Sequence, residues 1–162
     1  MYTQALTESQ IQEIADQIDV GFKCFWSRED GELIFIPDEF RFPTMDFDAF
    51  EEDMDKIDEN IGSYDVILPL ESREGFKIME EFADALSDSN KLKDQLFNAL
   101  NRRKPFREFQ WVIDNSGEYR DVWFRFKNRW LRDWVKEKGE EIIEYRKQML
   151  SKDEDESGSE ED

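Results

Sequence analysis

Two short runs of aromatic and β-branched residues constrain the fold most strongly, because most of the remaining chain carries helical patterns. The runs span residues 21–26 and 33–37, and the polar segment between them contains Asp30-Gly31. Since Asp-Gly tolerates the positive φ that hairpin turns require, the runs predict a β-hairpin. A third strand is expected within residues 64–70, because two strands alone are marginally stable in water.

Apolar residues at steps of three and four predict the helices. Thr7 and Gln10 form a capping-box pattern before a helix expected at residues 8–18. Another helix, with a very acidic outer face, is expected at residues 47–61. The further predictions are helices capped by Ser72 and Asn90, a short helix at 106–113, and a last helix from about Tyr119 to about Met149.

These elements together predict an α+β fold. A small three-stranded antiparallel sheet packs against five or six helices, and the C-terminal helix is long. The length of 162 residues fits one domain, which we place at residues 1–150. Residues 151–162 contain no apolar residue, so they are predicted to be a disordered acidic tail.

The chain has no histidine and one cysteine, Cys24, which excludes many catalytic and metal sites. Ser-His-Asp and Cys-His arrangements and Cys/His zinc sites all need residues that are absent. The sequence also has no phosphate-binding glycine loop and no EF-hand spacing. We therefore expect no catalytic residue, metal or cofactor, and we predict that the protein is not an enzyme.

A carboxylate-based, metal-dependent hydrolase is the third functional hypothesis. It is weak, because a chain with 41 acidic residues contains carboxylate pairs by chance. The single cysteine and the absence of an export signal predict a cytoplasmic protein. No apolar run approaches the ~20 residues needed to span a bilayer, so no membrane partner is expected.

Charge is distributed unevenly, and the basic residues give the best functional hypothesis. Residues 1–90 carry 24 acidic and 6 basic groups, whereas residues 91–150 carry 10 acidic and 15 basic groups. Such polarity favours association with a partner of opposite charge, although solubility alone also explains it. The candidate partner-binding residues are Arg102, Arg103, Lys104 and Arg107 around the break at Pro105, and Arg125, Arg129, Arg132 and Lys136 on one face of the last helix.

Two classes of partner fit these basic groups. The leading prediction is an unidentified acidic protein, bound by a non-catalytic interaction or regulatory module. The alternative is nucleic acid on the same surface, because basic residues interleaved with Phe106 and Phe109 can contact phosphates and stack bases.

Three ordered motifs occur in the chain: YDVILPLESREGFKIMEEF at residues 64–82, RKPFREF at 103–109 and WFRFK at 123–127. Together they resemble the bacterial family catalogued as uncharacterised protein family UPF0158. The resemblance implies a bacterial cytosolic protein and brings no established activity or cofactor. It also suggests that Ser72-Arg73-Glu74 and Pro105-Phe106-Arg107 belong to a shared design. Packing explains the presence of Arg73 and Arg107 in these motifs less readily than that of their neighbours. Arg107 is already a candidate partner-binding residue, and Arg73 is therefore added to the candidates.

Overall fold

The fold is α+β, as predicted, in a computed structural model that describes residues 1–159. Strand β1 (Phe22–Ser27) pairs with β2 (Leu33–Pro37) on one side and with β3 (Tyr64–Ile67) on the other. Both pairings are antiparallel, and Cys24 lies opposite Phe35 in β2 and opposite Ile67 in β3. The predicted hairpin and third strand are confirmed.

The hairpin turn forms because its residues satisfy the backbone locally. Gly31 adopts φ +78°, and the Glu32 N–H donates to the Asp30 carboxylate at 2.9 Å. A Cβ at Gly31 would lie 2.5 Å from the ring of Tyr2, so this position also needs glycine for space.

Six helices lie in the described residues, and two predicted caps are confirmed. The Gln10 N–H donates to the Thr7 hydroxyl at 3.1 Å, and the Leu92 N–H donates to the Asn90 side chain at 2.9 Å. The helices are α1 (Glu8–Asp19), α2 (Glu51–Glu59), α3 (Ser72–Ala85), α4 (Lys91–Leu100), α5 (Pro105–Asp114) and α6 (Tyr119–Ser159).

Three helix boundaries differ from the predictions. The predicted helix at 47–61 is a single 3-10 turn, Asp48–Phe50, followed by the shorter α2. Ser72 is the first residue of α3 rather than its cap, because Glu71 takes the N-cap position and its N–H donates to the Glu74 carboxylate at 3.3 Å.

Helix α6 also continues past its predicted end near residue 149. The structure describes residues 151–159 as helix, where the sequence predicted a disordered tail. Residues 150–157, which follow the predicted end, contain no glycine or proline that would interrupt the helix. Residues 160–162 of the predicted tail lie outside the described residues.

The chain divides into two compact units. One comprises residues 1–69 and 132–162, and the other comprises residues 70–131. The prediction of a single domain for residues 1–150 stays a prediction. In the first unit, the buried core includes Ile14, Cys24 and Trp26. The second unit contains an aromatic cluster in which Phe82 packs edge-on against Phe109, Trp123 and Phe126, with ring centroids 5.2–6.5 Å apart.

A fully buried arginine, Arg146 of α6, joins the elements of the first unit. Its guanidinium donates to the Asp65 carboxylate at 2.7 Å, to the Trp26 carbonyl at 2.7 Å and to the Tyr2 carbonyl at 3.0 Å. It also lies 4.4 Å from the centroid of the Trp26 ring. Arg146 therefore supplies the donors that the buried acceptors of β1 and β3 require.

Asp65 is held ionised by two arginines. Burial raises the pKa of its carboxyl, but hydrogen bonds from Arg28 and Arg146 outweigh that effect, and the pKa lies below its ordinary value. Arg28 binds both carboxylate oxygens, at 2.9 and 3.2 Å.

Candidate functional site

Five of the predicted basic residues lie at the start of α3 or around the start of α5, and we call them the basic corner. Arg102, Arg103 and Lys104 are exposed in the turn before α5, which Pro105 begins with the fixed φ that suits a first helical position. Arg107 is exposed in the first turn of α5, and Arg73 is exposed in the first turn of α3.

A close contact between α3 and α5 brings the parts of the basic corner together. A Cβ at Gly75 would lie 3.2 Å from the ring of Phe106. Arg73 precedes Gly75 by two residues, and Arg107 follows Phe106 directly. The glycine therefore lets the starts of the two helices approach, and the basic corner forms at their junction.

Trp111 of α5 lies beside the basic corner and is 66% exposed. It lines two adjoining grooves of about 420 and 580 Å³, and Arg102 and Glu108 also line both. We call them together the Trp111 groove. Its first half is also lined by Gln95, Asn98, Ala99, Val112 and Asn115, and its second half by Arg107, Gln110 and Asp114.

The acidic side chains of the Trp111 groove are engaged in ion pairs. Glu108 pairs with Arg102 at 3.3 Å, and Asp114 pairs with Arg120 at 3.4 Å. Arg107 makes no ion pair with any described residue, and the same holds for its neighbours Arg103 and Lys104. The lining itself is balanced in charge, with two basic and two acidic side chains, and the exposed Arg103 and Lys104 beside it give the surface around the indole ring an excess of positive charge.

The predicted stripe on α6 is not one surface of free charges. Arg125 donates to the Asp121 carbonyl of its own helix at 3.4 Å. Arg132 pairs with Glu8 at 2.7 Å, and its Nε is buried without a hydrogen-bond partner in the described residues. Arg125 and Arg129 belong to the unit of residues 70–131, whereas Arg132 and Lys136 belong to the other unit. Arg125, Arg129 and Lys136 are exposed without a described ion pair, so Arg132 is the paired member of the stripe.

Trp111 is not among the predicted site residues, although the pattern of α5 contains a signal for it. Phe106, Phe109 and Ile113 mark the apolar face of α5, and Trp111 lies on the opposite side of a helical wheel. A tryptophan on the polar face of an amphipathic helix is an exposed aromatic side chain. The burial of Arg146 was not predicted either. The signal there is the opposite one, because Arg146 continues the helical spacing of the buried Val135 and Ile143.

The side chains offer little for covalent or metal chemistry within the described residues. Burial, with a smaller effect of the Glu13 charge, raises the pKa of the Cys24 thiol to about 12, so that thiol stays protonated at neutral pH. No group of three or more His, Cys, Asp or Glu side chains that could hold a metal ion occurs in the described part of the chain. No described helix is long and apolar enough to cross a membrane.

Comparison with known proteins gives a family and one curated relative. The model of uncharacterised protein family UPF0158 matches residues 6–150. The protein named UPF0158 protein PA5073, from Pseudomonas aeruginosa, is 26% identical over 126 residues, which cover 77% of this chain and 76% of the relative. No solved structure matches the chain.

Proposed function

We propose that this chain, which belongs to uncharacterised protein family UPF0158, is a non-catalytic interaction module that binds an acidic protein partner through the basic corner and the Trp111 groove. One observation carries the proposal, which is that Trp111 is 66% exposed in a groove also lined by Arg107. Tryptophan and arginine are the residues most enriched at the energetic centres of protein interfaces.

The charge of the surface selects an acidic partner. Glu108 and Asp114 are already paired, so Arg103, Lys104 and Arg107 remain available. A guanidinium binds a carboxylate through two parallel hydrogen bonds, which gives both energy and orientation. The partner's carboxylates would meet these groups while an apolar side chain packs against the indole ring.

Charge reversal tests the proposal. Arg103→Glu/Arg107→Glu should abolish capture of the partner from native lysate at low salt, because it replaces two attractive charges with two repulsive ones. Both side chains are exposed, so the melting temperature should not change. The matched control is Lys147→Glu/Lys152→Glu, which makes the same change in net charge at exposed positions of α6 and should leave capture intact.

Two results would contradict the proposal. One is unchanged capture by the Arg103/Arg107 variant. The other is a variant that unfolds, since the two arginines would then have a structural role.

Single-stranded nucleic acid is a second candidate ligand of the Trp111 groove. It is favoured by the three amide side chains of Gln95, Asn98 and Asn115, which line the groove beside the indole ring. Bases can stack on an exposed aromatic ring, and amides can bond their edges. Nuclease treatment of the captured complex separates the candidates: loss of the complex supports nucleic acid, and its survival supports the protein partner.

A further inference from the structure

A second groove, in the unit of residues 1–69 and 132–162, lies between α2 and the sheet. Its volume is about 340 Å³, near the lower end of the range for ligand pockets. Phe25 and Ile36 of the sheet form one side, and Met54 and Ile57 of α2 form the other. Phe47, from the turn before α2, completes the apolar lining. We call this the α2 groove.

Helix α2 leaves the groove open because it covers the sheet incompletely. None of its nine residues, all of them described, is buried. Met54 is 37% exposed although it lies on the apolar side of the helix. Among the described contacts, Lys56 pairs with Glu32 at 2.6 Å, and both side chains are about half exposed. Such surface pairs stabilise little, so this ion pair does little to hold α2 against the sheet. The apolar wall of the groove is therefore accessible to a ligand.

The rim of the α2 groove is acidic. Asp58 lies on the rim and makes no ion pair with any described residue. Glu39 also lines the groove and pairs at 2.9 Å with Lys23, which lines it as well, so Asp58 supplies the uncompensated negative charge of the lining. The exposed side of α2 adds a series of carboxylates on the solvent side, which are Glu51, Glu52, Asp55 and Glu59.

The chain near the groove also exposes apolar side chains of an adaptable kind. Phe40 is 88% exposed and Met45 is 37% exposed, in the segment between β2 and α2. Aromatic and methionine side chains beside acidic groups suit a ligand that is apolar on one face and basic on the other. Charge complementarity thus selects the occupant: its apolar side chains enter the groove and its basic side chains meet the rim.

We propose that the α2 groove docks a basic amphipathic segment of a second protein. The segment places apolar side chains between Phe25 and Met54, and its lysine or arginine side chains pair with Asp58 and its acidic neighbours. This binding is independent of the basic corner, which lies in the other unit, so either proposal can fail without the other. The chain would then carry two docking surfaces of opposite charge.

Two probe peptides test the apolar part of the interaction. One is a leucine–lysine peptide with amphipathic helical spacing, and the other is an oligolysine of equal charge, both fluorescently labelled. We expect the amphipathic peptide to bind at least about tenfold tighter by anisotropy, since an apolar anchor contributes that much at an interface. Equal binding of the two peptides would overturn the proposal, because charge alone would then explain it.

A Met54→Glu variant separates the groove from general charge attraction. It adds negative charge, so non-specific attraction predicts equal or tighter binding of the amphipathic peptide. The proposal predicts the opposite, a loss of about tenfold, because the apolar wall is interrupted. The charge-matched control Gln148→Glu, at an exposed position of α6, should bind as the unmodified protein does. Unchanged or tighter binding by Met54→Glu would refute the proposal.

Two measurements on the unmodified protein keep the test independent of folding of the variant. Methyl NMR should show peptide-induced shifts of Met54, Ile57 and Ile36, and shifts confined to other methyl groups would contradict the proposal. Sedimentation velocity should show that the groove is not occupied by another copy of the chain. A dimer that Met54→Glu dissociates would identify that copy as the occupant and overturn the proposal.

Discussion

Replacement of the buried Arg146 by methionine should strongly destabilise the folded protein. The side chain is fully buried and donates to three acceptors, the Asp65 carboxylate and the carbonyls of Trp26 and Tyr2. Methionine has a similar reach and fills much of the same space, so the substitution removes mainly the donors and the charge.

The magnitude follows from what the substitution leaves unpaired. Removing one partner of a buried ion pair costs about 3–5 kcal/mol. Asp65 keeps its ion pair with Arg28, so the free-energy cost of removing Arg146 from this carboxylate lies at the lower end of that range. The Trp26 carbonyl loses a charged donor, at a cost of about 1–3 kcal/mol, whereas the Tyr2 carbonyl lies in a partly exposed segment that water can reach. Burial of the apolar methionine side chain offsets part of this loss, and we expect a net destabilisation of about 3 kcal/mol.

Urea denaturation followed by circular dichroism measures this change as a shift in midpoint at constant slope. Lys147→Met is the matched control, since it makes the same substitution at the next, exposed position of α6 and should change stability by less than about 0.5 kcal/mol. A loss of less than about 1 kcal/mol for Arg146→Met would refute the assignment of Arg146 as the link between α6 and the sheet.

Two further predictions concern pH and the acidic end of the chain. Because the pKa of Asp65 is lower in the folded protein, the stability from its ion pairs is present above the unfolded pKa of about 3.9 and is lost as the pH falls through the lower folded value. Denaturation across acidic pH should show a smaller pH dependence for Asp65→Asn than for the unmodified chain, and an equal dependence would contradict the pairing. Truncation after Leu150 should leave the melting temperature unchanged, because the side chains of residues 151–158 are exposed. A marked fall in melting temperature would show that this segment stabilises the fold.

Local patterns predicted the elements of the fold well. The hairpin and the caps at Thr7 and Asn90 depend on residues that lie near one another in the chain. Strand β3 was recognised from its own β-prone residues, although it pairs with the distant β1. Boundaries were less accurate where two local signals compete. At the start of α3, Ser72 is the preferred type of cap residue, but the structure places Glu71 at the N-cap, where it forms a capping box with Glu74.

Sequence patterns did not predict which residues pair across long distances in the chain. Arg146 bonds groups that are 81, 120 and 144 residues away along the chain, and periodicity carries no information about such partners. Its position within an apolar stripe shows only that it is buried. The same limit applies to the candidate site, where the basic residues around Pro105 were predicted but the pairing of Arg132 with Glu8 was not. This pairing removes Arg132 from the free basic groups.

Site-specific photo-crosslinking at Trp111 tests the proposed interaction function most directly. A photoreactive amino acid with an aromatic side chain, which keeps an aromatic ring in the groove, replaces Trp111 in living cells of the native host, and the control replaces the exposed Gln148 of α6. We expect a discrete crosslinked protein that survives nuclease, is absent from the control, and disappears when Arg103 and Arg107 are reversed to glutamate. No specific crosslink at Trp111, the same products from the control position, or products that nuclease removes would contradict the claim that an acidic protein binds this groove.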